Sequence, residues 1–212
     1  MTGCTMWLAR IKCRLYRMEN AADRQGGLQR RFIMWIETRR LVIRNLRTED
    51  GRVFAEMAAD GSLHDIGFGR DCSGWMEEWV AEAKRLASGD NPAVDYLAYA
   101  VALKDDDRVV GSVGCSWYED LRETGITYFI GAQYRGNGYA LEAAEAYLRY
   151  FFGHYHAERM IATVSDENVP SWKVAERAGF TLTDKRMYKD LNDEKEELCR
   201  FYVMEKGNFR PT

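Results

Sequence analysis

The sequence predicts one α/β domain built on a mixed sheet of about seven strands and four helices. Three observations carry this reading. Apolar runs of strand composition alternate with helix-period segments from Leu41 to Glu205. A glycine loop, Gln133-Tyr134-Arg135-Gly136-Asn137-Gly138-Tyr139-Ala140, joins one such run to a helical segment. A further strand follows that helix, which requires a parallel pair, whereas the strands before and after this unit are linked as antiparallel hairpins.

Taken in order, Leu41 to Leu46 reads as a strand, and Thr48-Glu49-Asp50 is a helix-start signal ahead of Val53, Phe54, Met57 and Ala58. Ser73 precedes a second helix with Met76, Trp79, Val80, Ala83 and Leu86 or Ala87 on its inward stripe. Tyr96 to Leu103 alternates as a strand, Asp105-Asp106-Asp107 turns the chain, and Arg108 to Trp117 returns beside it. Gly111 and Gly114 mark bulges or close approach within that return strand. A turn near Glu119-Asp120 leads to the strand that ends at Gly131.

The third helix runs from Tyr139 to Phe152, with Leu141, Ala144, Leu148 and Phe151 or Phe152 on one face and Gly153 as its expected stop. Glu158 to Val164 is the second strand of the βαβ unit. A fourth helix opens at Asn168-Val169-Pro170-Ser171 and ends at Gly179-Phe180. Phe180 to Tyr188 and Leu198 to Glu205 close the domain as a hairpin across Leu191 to Lys195.

Strand, glycine loop and helix in that order make an anion site. Two glycines one residue apart let the backbone turn without side chains in the way, and a helix N-terminus adds unpaired N–H donors. A pyrophosphate fits such a cradle. The dinucleotide-binding spelling is excluded because Leu141 stands where a third Gly or Ala is needed, and no Gly-Lys-Ser/Thr is present. Gln133, Gly136 and Gly138 instead resemble the acetyl-CoA loop of the GNAT N-acetyltransferase superfamily. Asn168 and Ser171 followed by Gly179-Phe180 resemble its fourth-helix signature, at the family's distance from the loop. Within the superfamily the segment is most similar to the branch of ribosomal-protein N-acetyltransferases, which places Ser at the Ser171 position.

The resemblance implies that acetyl-CoA is the co-substrate and that no metal is used. It assigns the pyrophosphate to the N–H groups of Arg135, Gly136, Asn137, Gly138, Tyr139 and Ala140. Phe129, Ile130 and Gly131 would pair with the pantetheine arm as a further strand would, and Asn168 and Ser171 would face its distal end. A neutral amine would attack the thioester directly, so a base or water relay must take a proton. Glu123 and Glu119 are the carboxylates placed for this by position, with Ser171 the other catalytic candidate. Many members carry a Tyr where this chain has Ala175, which leaves the acid that protonates the thiolate unassigned. A thiol with a pKa of about 8.5 is a tolerable leaving group even so. Tyr188, Tyr128 and Tyr118 are candidate substitutes.

The acceptor is expected to be a protein N-terminal amine or a small amine. The loop residues Asp60, Asp65 and Asp71 are placed to attract a cation, and Trp75, Trp79, Trp117 and Tyr118 to line a pocket or to build the core. Two other readings stand beside this one: a non-catalytic acyl-CoA-binding regulatory module, favoured by Ala175, and an acetyltransferase acting on aminoglycosides or polyamines.

Composition sets further bounds. The net charge of −3 gives no basis for nucleic-acid binding, and no apolar run approaches the length of a membrane span. Cys4, Cys13, Cys72, Cys115 and Cys199 are odd in number and widely spaced, as expected of reduced thiols in a cytoplasmic protein. His154 and His156 are the only close histidine pair and read as solvated or packed side chains. Residues 1–33 carry seven basic against two acidic side chains, net +5, which leaves −8 for the remainder. Trp7, Ile11, Leu15 and Met18 place one apolar face on this basic segment, consistent with a membrane-surface anchor or with an extension, residues 1–35, ahead of a catalytic domain at 36–207. Met34-Trp35-Ile36-Glu37-Thr38 resembles the usual start of the superfamily, which suggests an upstream start codon. A monomer or homodimer is expected.

Overall fold

The computed structural model describes residues 34–190 and 195–210. The basic amphipathic segment and the tip of the closing hairpin lie outside them. The described residues form an eight-stranded sheet and four α-helices. The strands are β1 (Trp35–Glu37), β2 (Leu41–Asn45), β3 (Tyr96–Leu103), β4 (Val109–Tyr118), β5 (Glu123–Ile130), β6 (Arg159–Ser165), β7 (Thr181–Tyr188) and β8 (Glu197–Glu205). The helices are α1 (Asp50–Ala58), α2 (Met76–Gly89), α3 (Tyr139–His154) and α4 (Val169–Arg177). The strand order is β1-β2-β3-β4-β5-β6-β8-β7, with β5 and β6 the parallel pair.

Each face of the sheet has its own core. Phe54 and Met57 of α1 and Trp79, Val80 and Ala83 of α2 pack on Ala98, Ala100 and Ala102 of β3. Tyr147, Leu148 and Phe151 of α3 and Ala175 of α4 pack on Leu97, Tyr99 and Val101 of the same strand, with Val113, Met160 and Tyr202. β3 is therefore buried on both faces, which is why it reads as an unbroken apolar run. Its alanines on one face leave the depth that Trp79 and Phe54 fill.

Two elements differ from the sequence expectation. β1 is an added strand of three residues, too short to show a period, and it lies antiparallel on β2 at the sheet edge. α3 runs through Gly153 and ends at His154, where the Tyr155 N–H donates to the Phe151 carbonyl at 2.9 Å. Packing of Phe151 and Tyr155 (ring centroids 5.2 Å apart) holds that last turn and outweighs the low helix preference of glycine. Asp50, expected only as a helix-start residue, is buried and paired through both carboxylate oxygens with buried Arg44, at 2.8 and 3.1 Å.

Cys115 is fully buried on β4, and burial pushes its thiol from the ordinary 9.0 up to about 12. Because the folded value lies above the unfolded one, the stabilisation is complete below the unfolded value and is lost as pH rises through the folded one. Denaturant midpoints are therefore expected to fall steadily between pH 9.0 and about 12. A midpoint that holds level across this window would contradict the burial assigned to the thiol.

Candidate functional site

β5 and β6 are joined by a single register pair, Gly125↔Ile161, although β5 continues to Ile130 and β6 to Ser165. Beyond that pair the two strands part, leaving an open gap in the middle of the sheet. The ladder on the other side of β5 decides which backbone groups face it. The Gly131 N–H donates to the Val110 carbonyl at 2.9 Å, and antiparallel alternation then directs Phe129 to β4 as well. The N–H and C=O groups of Tyr128 and Ile130 consequently face the gap. Of the expected run Phe129, Ile130 and Gly131, the structure turns Ile130 toward the gap and commits the backbone of the other two to β4. Tyr128 is the second gap-facing residue. Sequence reading missed this role because strand period alone does not give the phase of a ladder. The Phe129 ring instead packs edge-on against Phe54 and Phe68, at 5.3 and 5.5 Å between centroids.

The glycine loop lies between the end of β5 and the start of α3. Gly136 and Gly138 have φ of 79° and 78°, left-handed values that glycine adopts without a steric cost. A Cβ on Gly136 would meet nothing within 4 Å, so the backbone there is open to a ligand. The neighbouring side chains brace the loop. Asn137 Nδ2 donates to the carbonyls of Tyr134 and Arg135 at 3.0 and 3.2 Å, and the Arg135 guanidinium donates to the carbonyls of Ile130 and Ser62 at 3.0 and 2.9 Å. The Arg135 N–H closes a turn on Ala132 at 3.2 Å, so Arg135 supports the loop from behind. Among the described residues, none accepts from the N–H groups of Gly136, Asn137, Gly138, Tyr139 or Ala140. Five consecutive donors at the N-terminus of a sixteen-residue helix make a strong anion cradle.

At the other side of the gap, the Asn168 side chain caps α4 by accepting the Ser171 N–H at 3.3 Å. The Tyr128 hydroxyl crosses from β5 and donates to the Ser171 carbonyl at 2.8 Å, with Ser171 Oγ at 3.4 Å from the same hydroxyl. Burial pushes the Tyr128 phenol up to about 12, so it is protonated at neutral pH. Ala175 points into the core and is fully buried. The other two tyrosines are engaged elsewhere. Tyr118 shares a 2.8 Å hydrogen bond with Thr163, whose hydroxyl also donates to Asp190, and Tyr188 donates to Asp120 at 3.0 Å.

Glu123 lies before Gly125, at the closed end of the gap, and its carboxylate accepts from the Arg159 guanidinium. Glu119 is exposed in the turn after β4. Trp75 and Trp79 build the core under α2 with Phe68, and Trp117 is half-buried. Asp60 is exposed and accepts the Ser62 N–H at 2.7 Å, Asp71 is exposed, and the Asp65 side chain lies outside the described residues. His154 is hydrogen-bonded to Asp90 at 2.6 Å. Among the described residues, no group of three His, Cys, Asp or Glu side chains is placed to hold a metal ion, and no helix is long and apolar enough to cross a membrane.

The sequence profile of the acetyltransferase (GNAT) domain family matches residues 40–181. The chain is 31% identical over 153 residues to the uncharacterized N-acetyltransferase YnaD of Bacillus subtilis, covering 69% of this chain and 82% of that one. Its fold is similar to that of a GNAT-family acetyltransferase from Bacillus anthracis, with TM-score 0.68, 22% identity and coverage of 82% and 99% of the two chains. It is also similar to RimL, a ribosomal-protein α-N-acetyltransferase solved with coenzyme A, with TM-score 0.68, 14% identity and coverage of 81% and 98%.

Proposed function

The chain belongs to the GNAT acetyltransferase family, and on that premise we propose that it moves the acetyl group of acetyl-CoA to a primary amine by direct attack. The observation that carries this reading is the juxtaposition of the β5–β6 gap with the donor-rich loop at the start of α3. The loop N–H groups from Gly136 to Ala140 take the pyrophosphate. The pantetheine arm enters the gap and pairs with the backbone of Tyr128 and the N–H of Ile130, whose carbonyl is held by Arg135. An N–H of that pair polarises the thioester carbonyl and stabilises the oxyanion that forms on attack. Asn168 and Ser171 position the distal arm from the start of α4.

The acceptor amine attacks as its neutral form, forming the C–N bond and a tetrahedral oxyanion, which then collapses as the C–S bond breaks. Its proton leaves through water in the gap, because the Glu123 carboxylate is held by Arg159. The Tyr128 hydroxyl stands in for the tyrosine absent at Ala175 by hydrogen-bonding the departing sulfur, and the proton lost by the amine reaches that thiolate through the same water. A Tyr128→Phe chain is expected to lose at least about tenfold in kcat while its affinity for acetyl-CoA stays within about twofold. Unchanged kcat would remove Tyr128 from the chemistry.

The acceptor is a protein N-terminal amine or a small-molecule amine. The test is release of CoA thiol from acetyl-CoA over a panel of short peptides with free N-termini, polyamines and aminoglycosides, with product mass confirming amide formation. Transfer to peptides alone selects the N-terminal reading. Saturable acetyl-CoA binding without transfer to any member would assign the chain to acyl-CoA binding without catalysis.

A further inference from the structure

We propose that Arg40, from the β1–β2 turn, is a phosphate-binding residue of the acetyl-CoA site and supplies the side-chain cation that holds the pyrophosphate on the glycine loop. This inference rests on the cofactor placement above and adds to it a residue far from the loop motif in sequence.

Glu142, in the first turn of α3, creates the need for it. A carboxylate there suits the helix dipole but repels a phosphate bound one turn away. The β1–β2 turn neutralises it with three hydrogen bonds. The Thr38 hydroxyl donates to Glu142 Oε1 at 2.6 Å, the Arg40 N–H to the same oxygen at 2.8 Å, and Arg40 Nε to Oε2 at 2.7 Å. Burial pushes the Glu142 carboxyl up, but the bonds from Thr38 and Arg40 outweigh it and hold the group below the usual carboxylate range. The Glu142 carboxylate is therefore held ionised, and the pair is fixed in orientation.

That orientation aims the rest of the guanidinium at the loop. Nε is used on Glu142, whereas among the described residues no acceptor takes a hydrogen bond from the two terminal nitrogens. The guanidinium lies over the Tyr139 ring, 4.8 Å from its centroid, and Nη2 is 3.5 Å from where a Cβ on Gly138 would sit. The edge of the guanidinium thus stands beside Gly138 and the Tyr139 ring, on a side chain about one-third exposed, at 35%. A guanidinium fork in this position matches phosphate oxygens in a way that an ammonium does not.

The experiment compares the wild-type chain with Arg40→Gln and Arg40→Lys by calorimetric titration of acetyl-CoA and 3′-dephospho-acetyl-CoA. Weak binding of S-acetylpantetheine, which lacks the pyrophosphate, is read by its competition with acetyl-CoA. Arg40→Gln is expected to weaken both phosphorylated donors about tenfold to 100-fold, with S-acetylpantetheine within about twofold of wild type. Arg40→Lys should recover part of the loss.

Binding of acetyl-CoA by Arg40→Gln within twofold of wild type overturns the proposal. So does an equal loss for S-acetylpantetheine, which would mean a role in shaping the domain. A loss confined to acetyl-CoA and spared in the dephospho donor places the cation on the 3′-phosphate and overturns the pyrophosphate assignment. Failure of the wild-type chain to bind acetyl-CoA would instead defeat the cofactor reading itself.

Discussion

A Gly138→Trp chain is expected to fold and to lose acetyl-CoA binding, by about 100-fold or more in Kd. Gly138 is the residue before α3, in the left-handed region at φ 78°. A side chain there costs about 1–2 kcal/mol, which a domain stable by about 5–15 kcal/mol survives. Binding does not survive, because the indole must rise from the centre of the five-donor cradle. Its Cβ alone would sit 3.5 Å from Arg40 Nη2, so the larger ring displaces the cation as well as covering the N–H groups. Several charge-assisted hydrogen bonds worth about 1.5–3 kcal/mol each are then lost together. Calorimetric titration gives the affinity, and a thermal melt without ligand confirms the fold. Gly138→Ala, with the same backbone strain and little bulk, is expected to fall between the two. Undiminished binding by the Trp variant would remove the loop from the cofactor site.

Gly114→Ala is expected to abolish the fold rather than the function. Gly114 lies in β4 opposite Ala98 of β3, and a Cβ there would meet the Leu97 carbonyl oxygen at 1.8 Å and the Ala98 Cα at 3.1 Å. Both are backbone atoms, so no rotamer change relieves the clash. The strands must separate, and both cores of the protein are anchored on β3. A destabilisation above about 4 kcal/mol is expected, enough to unfold a domain at the lower end of the usual stability of about 5–15 kcal/mol. Urea unfolding, or recovery of the chain in the insoluble fraction, reads the effect. Gly74→Ala is the control: a Cβ there meets nothing within 4 Å, and the midpoint should move by no more than about 0.5 kcal/mol. A Gly114→Ala chain as stable as wild type would mean that β3 and β4 are spaced more widely than described.

Gly114 also shows how far local pattern reaches. Two glycines inside an otherwise apolar strand signal close approach, and the structure supplies the neighbour, the carbonyl of Leu97. The same division holds at the site. The loop Gln133–Ala140 was legible because left-handed glycines before a helix are a local device. The opening of α4 at Asn168 was legible because a helix start is signalled within three residues of itself. The strands and helices followed from two-residue and 3.6-residue periods, which need no partner to be recognised. The exceptions were β1, too short for a period, and Gly153, where packing overrode preference.

Fold class, the βαβ unit and the glycine loop were thus determined by the sequence by itself. Tertiary structure decided the rest of the site. Tyr128 meets Ser171 across 43 positions, Glu123 meets Arg159 across 36, and Arg40 meets Glu142 across 102. Which backbone N–H groups face the gap depends on the register of β5 on β4, marked by the Gly131 to Val110 hydrogen bond. A shift of one residue in that pairing would turn Phe129 to the gap and Tyr128 away. Periodicity fixes which residues share a face but not what lies opposite. That is set only when the strands pair and the two cores close on the sheet.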